Sequence, residues 1–230
     1  TCVDSNRARP AMPERCSLMA RLSERALPAS PPQPRLVSLL VWGLVSGVLL
    51  WSGVSPHDRL TWWLEVLPVL VGLPLLAWCH RHFPLTPLVQ AAIALHMLVL
   101  LYGGHYTYAL TPAGDWLQSW LGLSRNPFDR IGHLMQGAVP ALVAREILLR
   151  RTPLTPGGWL TFLVISVCLA ISAGYELIEF AAARLLGQGA DQFLAMQGDV
   201  WDTQWDMLCA LIGASVSLLL FSRWHDRQLA

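Results

Sequence analysis

Residues 88–109, LVQAAIALHMLVLLYGGHYTYA, hold no acidic residue, lysine or arginine; their only titratable nitrogens belong to His96 and His105. About 20 apolar residues in a helix cross a hydrocarbon core roughly 30 Å thick, so this stretch reads as a membrane span. Working outward, comparable stretches recur from Leu36 to Val54, Leu60 to Trp78, Ile131 to Leu149, Trp159 to Leu185 and Met207 to Phe221. The expectation is an all-α polytopic membrane protein, a bundle of six transmembrane helices. Pro68, Pro74 and Pro140 fall inside spans, where neighbouring helices can satisfy the freed backbone groups.

Composition agrees. Of 230 residues 54% are hydrophobic and 13% charged, with a mean hydropathy of +0.45, whereas soluble domains carry about 25% charge. All 16 basic residues are arginine and the net charge is +1, which leaves no basic surface for tracking a nucleic-acid backbone. The five cysteines are scattered, with no CxxC pair, so neither a disulfide framework nor a thiolate zinc site is indicated. Residues 1–35, rich in proline and arginine, read as a disordered cytoplasmic tail. Residues 36–222 form the six-helix domain, and residues 223–230 a short cytoplasmic tail.

Arginine placement orients the bundle, since cytoplasmic flanks are enriched in positive charge. Only Arg59, Arg125, Arg130 and Arg184 of the 16 arginines fall on one side, which becomes the outer side, with both termini cytoplasmic. The carboxylates do the reverse. Asp58, Glu65, Asp115, Asp129, Glu176, Glu179, Asp191, Asp199, Asp202 and Asp206 lie toward the outer face, against Asp4, Glu14, Glu24, Glu146 and Asp226 inside. Solvated loop acids would give the same asymmetry, so spacing has to decide.

Residues three or four apart share a helix face. Asp129 and His133 are so spaced at the outer start of the fourth span, after the turn signal Asn126-Pro127. Glu176 and Glu179 are so spaced near the outer end of the fifth. Asp199, Asp202 and Asp206 read as one stripe leading into the small residues Ala210, Gly213 and Ser217, a face suited to close helix packing. Trp201 and Trp205 place that segment at headgroup depth. His105 ends the third span on a face shared with Tyr102 and Tyr108; His96 points to the opposite side.

Imidazoles with several carboxylates are ligands for a hard or borderline divalent cation such as Zn, Mn, Fe or Mg. His105, Asp129, His133, Glu179, Asp202 and Asp206 are the candidate metal ligands, and Glu176 and Asp199 the candidate catalytic acids. Arg125 and Arg130 are candidates for holding a phosphate, or else pair with Asp129 or Asp115 and fix the loop. The chemistry indicated is metal-dependent hydrolysis or transfer on a lipid or cell-envelope substrate at the outer leaflet. A proton- or cation-coupled transporter and a non-catalytic envelope or antibiotic-resistance factor are the alternatives. Glu65 reads as a snorkelling interfacial acid, His57, His80, His82 and His225 as solvated, and Glu146 as the partner of Arg150. Glu146 lies roughly 25 Å from Asp129 along one helix, beyond reach of the outer site.

The segments Asn126–His133, Tyr175–Glu179 and Gln197–Met207 resemble the YjdF-like family of bacterial inner-membrane proteins. The likeness covers about Leu36 to Ser222. It implies a multi-pass inner-membrane protein and names no substrate. A looser likeness is to the VanZ-like proteins, with Asp129 and His133, Glu176 and Glu179, and Asp202 or Asp206 in the corresponding places. That likeness implies an envelope role.

Overall fold

Each apolar stretch forms one long helix, because a backbone in hydrocarbon can satisfy its polar groups only within its own segment. The computed structural model describes residues 35–186 and 194–230. The expected disordered tail, up to residue 34, and Asp191 lie outside the described residues. In chain order the helices are α1 (Arg35–Ser52), α2 (Arg59–His82), α3 (Pro87–Tyr106), α4 (Pro112–Leu121), α5 (Phe128–Arg151), α6 (Gly158–Leu186) and α7 (Asp202–Leu229), with a 3-10 turn at Tyr108–Leu110. The described residues contain no strand.

Among the described residues four helices, α2, α3, α6 and α7, are long and apolar enough to cross a membrane. The apolar part of α1, Ser38–Ser52, is shorter, and α5 carries charge at both ends, from Asp129 and Arg130 to Arg150 and Arg151. Only 22% of the most apolar window of α6 is buried, and Leu219 on α7 is 82% exposed. Outward faces this apolar require lipid around them.

Two cores meet at a seam. Val45 of α1, Val66 and Val69 of α2 and Leu101 of α3 make one; Ala141 of α5, Val164 and Cys168 of α6 and Ala214 of α7 make the other. Between them α3 packs on α5 through Val89 and Leu142. The most extensive helix pair is α5 with α7, and the expected small-residue face explains it. A Cβ on Gly137 would collide with the carbonyl of Ala210, and one on Gly213 with the carbonyl of Leu134. Backbone therefore meets backbone, which only small residues allow.

The two ends of the bundle differ in chemistry. At the arginine end, fully buried Glu146 accepts from the Thr86 N–H at 3.0 Å, the Thr86 hydroxyl at 2.7 Å and Arg150 at 2.6 Å. His225 Nε2 lies 3.0 Å from Oε2 of this carboxylate, the oxygen that also accepts from the Thr86 hydroxyl, and Arg145 donates to Asp226 at 2.6 Å. The Glu146–Arg150 pair is as expected. His225, expected in solvent, is instead completely buried, because α3 and α5 close over the last turns of α7.

At the acidic end α2 starts on Asp58, whose carboxylate caps the Thr61 N–H at 2.7 Å. That bond, first among several, holds the Asp58 carboxyl below its usual range. The short helix α4 is exposed on one face, where Trp116 and Trp120 stack at 5.8 Å with planes 8° apart. Exposed tryptophans of this kind sit at the membrane–water boundary.

Candidate functional site

The acidic end is assembled around Asn126, only 2% exposed. Its amide donates to Asp115 at 2.8 Å and to the Thr111 carbonyl at 3.1 Å, while its side-chain oxygen accepts from Phe128 N at 3.0 Å and so starts α5. Gln197 clamps the same residue from across the molecule, accepting from Asn126 N at 2.9 Å and donating to Asn126 O at 3.0 Å. Spacing could not reveal this pair, since its members are 71 residues apart.

One turn into α5, Asp129 and His133 face Asp206 on α7. One ligand atom from each of these three buried residues lies within 4.8 Å of the others. His133 Nε2 is 3.7 Å from Asp129 Oδ1 and 3.9 Å from Asp206 Oδ2. The other ring nitrogen, Nδ1, lies 3.0 Å from the amide oxygen of Gln136. An amide oxygen only accepts, so Nδ1 is the donor of this pair, and Nε2 faces the two carboxylates. Three candidate ligand atoms thus converge in a buried space. Ligands at roughly 2 Å from one ion lie at most roughly 4 Å apart, so small side-chain rotations would close this set on a divalent cation. Asp206 Oδ1 and Glu176 Oε1 are buried without hydrogen-bond partners, a costly arrangement unless positive charge or protons compensate it.

Glu176 of α6 stands beside this group, its Oε1 4.0 Å from His133 Nδ1. Glu179, one turn on, lines a cavity of about 220 Å³ together with Asp129, His133, Tyr108 and Tyr175. Two further residues of this cavity escaped the sequence reading. Glu65 is 1% exposed, with no side-chain donor on its carboxylate among the described residues, so it does not snorkel to the surface. It is sealed in because α3 crosses α2 at Gly104, where a Cβ would meet Val66 and approach Glu65. His96 also lines the cavity, its Nε2 unpartnered.

Other candidates are engaged elsewhere. Asp202 accepts a short hydrogen bond from Arg125, and the same guanidinium reaches the Ala195 carbonyl at 3.2 Å, Asp129 at 3.5 Å and Asp199 at 3.6 Å. Arg130 pairs with Asp199 at 2.8 Å and lies over the Trp205 ring. Both arginines are thus matched to carboxylates, and Asp199 and Asp202 serve as their counter-ions. Asp199 precedes α7, so the carboxylates that share the helix face are Asp202 and Asp206. His105, expected among the ligands, lies apart from the three converging groups. Its Nδ1 is 3.1 Å from the Ser52 carbonyl, its ring stacks on Trp51 at 4.2 Å, and its own carbonyl accepts from His57 N at 2.9 Å. It latches the α1–α2 turn to the end of α3.

A helical bundle with a lipid-facing exterior and a polar pocket at one end defines a multi-pass membrane protein. Residues 37–227 match the family described as predicted membrane protein, DUF2238, and the chain belongs to that family. It is 54% identical over 182 residues to the inner membrane protein YjdF of Escherichia coli (strain K12), covering 79% of this chain and 87% of that protein. The YjdF-like resemblance of the acidic motifs is thereby established, and with it a multi-pass place in the inner membrane. No solved structure matches the chain.

Proposed function

We propose that Asp129, His133 and Asp206 hold a divalent metal ion, and that the pocket carries out metal-dependent hydrolysis or group transfer on a lipid or cell-envelope substrate. The observation that carries this reading is the convergence of His133 Nε2 and two buried carboxylates, of which Asp129 has Arg125 at 3.5 Å on its other oxygen. Zn, Mn, Fe and Mg all suit one imidazole with carboxylates. Bound there, such an ion supplies Lewis-acid activation of water or of a carbonyl or phosphoryl oxygen. Glu176, with Oε1 unpartnered 4.0 Å from His133 Nδ1, would take and return a proton. By accepting from Nδ1 at 3.0 Å, Gln136 would orient the His133 ring so that Nε2 meets the ion. The phosphate-holding role of Arg125 and Arg130 and the catalytic role of Asp199 are not part of this reading, because their charges are paired with one another.

In the bilayer we read α1 and α5 as spans alongside the four more apolar helices, giving six crossings with both termini cytoplasmic and the pocket at the outer leaflet. The arginine distribution supports this orientation. A fluorescent-protein reporter fused after Ala230 is expected to be bright and an alkaline phosphatase fused there inactive; the opposite pair would invert the topology.

Metal analysis of detergent-purified protein tests the centre itself. Wild type is expected to carry about one divalent ion per chain, and His133→Ala and Asp206→Ala essentially none. Glu176→Gln should keep the ion with affinity lowered about tenfold, as for a group outside the ligand set. Wild type as poor in metal as both alanine variants would remove the reading. Cation-coupled transport is the second reading, favoured by Glu65 and His96, which extend ionisable groups inward from Asp129. Metal flux into proteoliposomes, lost in Glu65→Gln, would favour it.

A further inference from the structure

We propose that the cavity beside the three converging groups binds a primary ammonium group, with Glu65 as its main counter-charge. This rests on the pocket being a substrate site, and it adds the class of substrate. Glu65 on α2, Asp129 on α5 and Glu179 on α6 all line the space, so three helices each contribute one acidic residue to its wall. No side chain among the described residues donates to Glu65, the Tyr108 backbone N–H being the donor that approaches it, although the residue is 1% exposed. A buried, unpaired carboxylate is among the costliest groups a membrane protein can carry, and a cationic occupant removes that cost.

Size decides what kind of cation. Glu65 and Glu179 belong to no set of three or more ligand groups that converge within 4.8 Å among the described residues, so a bare metal ion would find fewer ligands here than beside His133. An ammonium has three N–H donors, matching three separated acceptors, and the cavity of about 220 Å³ has room for about seven waters at roughly 30 Å³ each. The Tyr108 and Tyr175 rings also line it, and aromatic faces attract cations within roughly 6 Å. Tyr108 is held firmly: a Cβ on Gly103 or Gly132 would meet its ring at 2.7 or 2.8 Å. Leu100 on the same wall leaves an apolar surface for the carbon chain attached to the amine. An aminophospholipid headgroup and a soluble amine share this chemistry.

The test uses full-length protein in phosphatidylcholine nanodiscs. Binding of doped phosphatidylethanolamine is measured in one arm and of free ethanolamine in the other, with N-acetylated forms of both as controls that lack the ammonium and bound metal determined on the same samples. Wild type should bind the amine of at least one arm, and the arm that binds identifies the source. Glu65→Gln should weaken that binding about tenfold or more, the loss of one charge-assisted hydrogen bond, and acetylation should abolish it. Glu179→Gln gives the same direction should Glu65→Gln not fold. Equal binding of amine and acetylated forms, or an affinity unchanged in both variants, overturns the proposal. So does a divalent ion that depends on Glu65 while amines bind in neither arm. Amine binding that depends on Glu65 in a protein devoid of metal would sink the metal centre and leave this inference standing; metal without amine binding would do the reverse.

Discussion

Arg125→Ala is expected to lower stability by about 3–5 kcal/mol, the cost of leaving buried charges without their partner. For a chain of this size that is a fall of about 10 °C in melting temperature. The side chain is 10% exposed and is surrounded by Asp202, Asp199 and Asp129. Removing it strands Asp202 and Asp129 at the place where α5 and α7 begin, and leaves Asp199 to Arg130 alone. Lysine should restore only part of the loss, because one ammonium cannot reproduce the planar fork that spans Asp202 and the Ala195 carbonyl. The double variant Arg125→Ala, Asp202→Ala should recover some stability, since it removes a charge on each side. Detergent-solubilised protein followed by intrinsic tryptophan fluorescence gives the measurement. A single variant that melts with wild type would mean that water reaches these acids freely, and the pocket would lose its buried character.

Gly213→Val should do more damage still. Its Cβ and the branches beyond it would drive into the Leu134 carbonyl, which is backbone and cannot swing aside. Gly137→Val meets the Ala210 carbonyl in the same way. Each is expected to cost more than about 4 kcal/mol, the range reached only by severe lesions, or to yield no folded protein. Both would separate His133 from Asp206 and empty the site of metal. Gly174→Ala is the control, because nothing stands within 4 Å of a Cβ there; it should fold as wild type does. Equal melting of Gly213→Val and Gly174→Ala would refute the tight α5–α7 contact.

Much of the helix layout was legible because a membrane span is a local property of about 20 consecutive residues. Asn126-Pro127 marked the start of α5, and Ala210, Gly213 and Ser217 marked the face that meets it. The Asp129–His133 spacing put two groups on one face, and the fold supplied Asp206 opposite. Glu65 and His225 were misread for one shared reason. Each sits near a helix end, where solvent is the default, and each is buried by an element distant in sequence. His105 shows the converse limit: helical periodicity gives its face but not the neighbour, and the neighbour is the Ser52 turn rather than α5. Helix α4 escaped because ten residues of mixed character make no span.

The arginine-end cluster has a practical corollary for anyone handling the protein. Helix α7 continues without a break through residues 223–229, Leu229 is buried, and Gln228 accepts from Leu88 N at 3.0 Å in the first turn of α3. A purification tag or reporter joined directly to Ala230 therefore tugs on the keystone around His225. A flexible spacer is needed so that the handle does not loosen the vessel it is meant to carry.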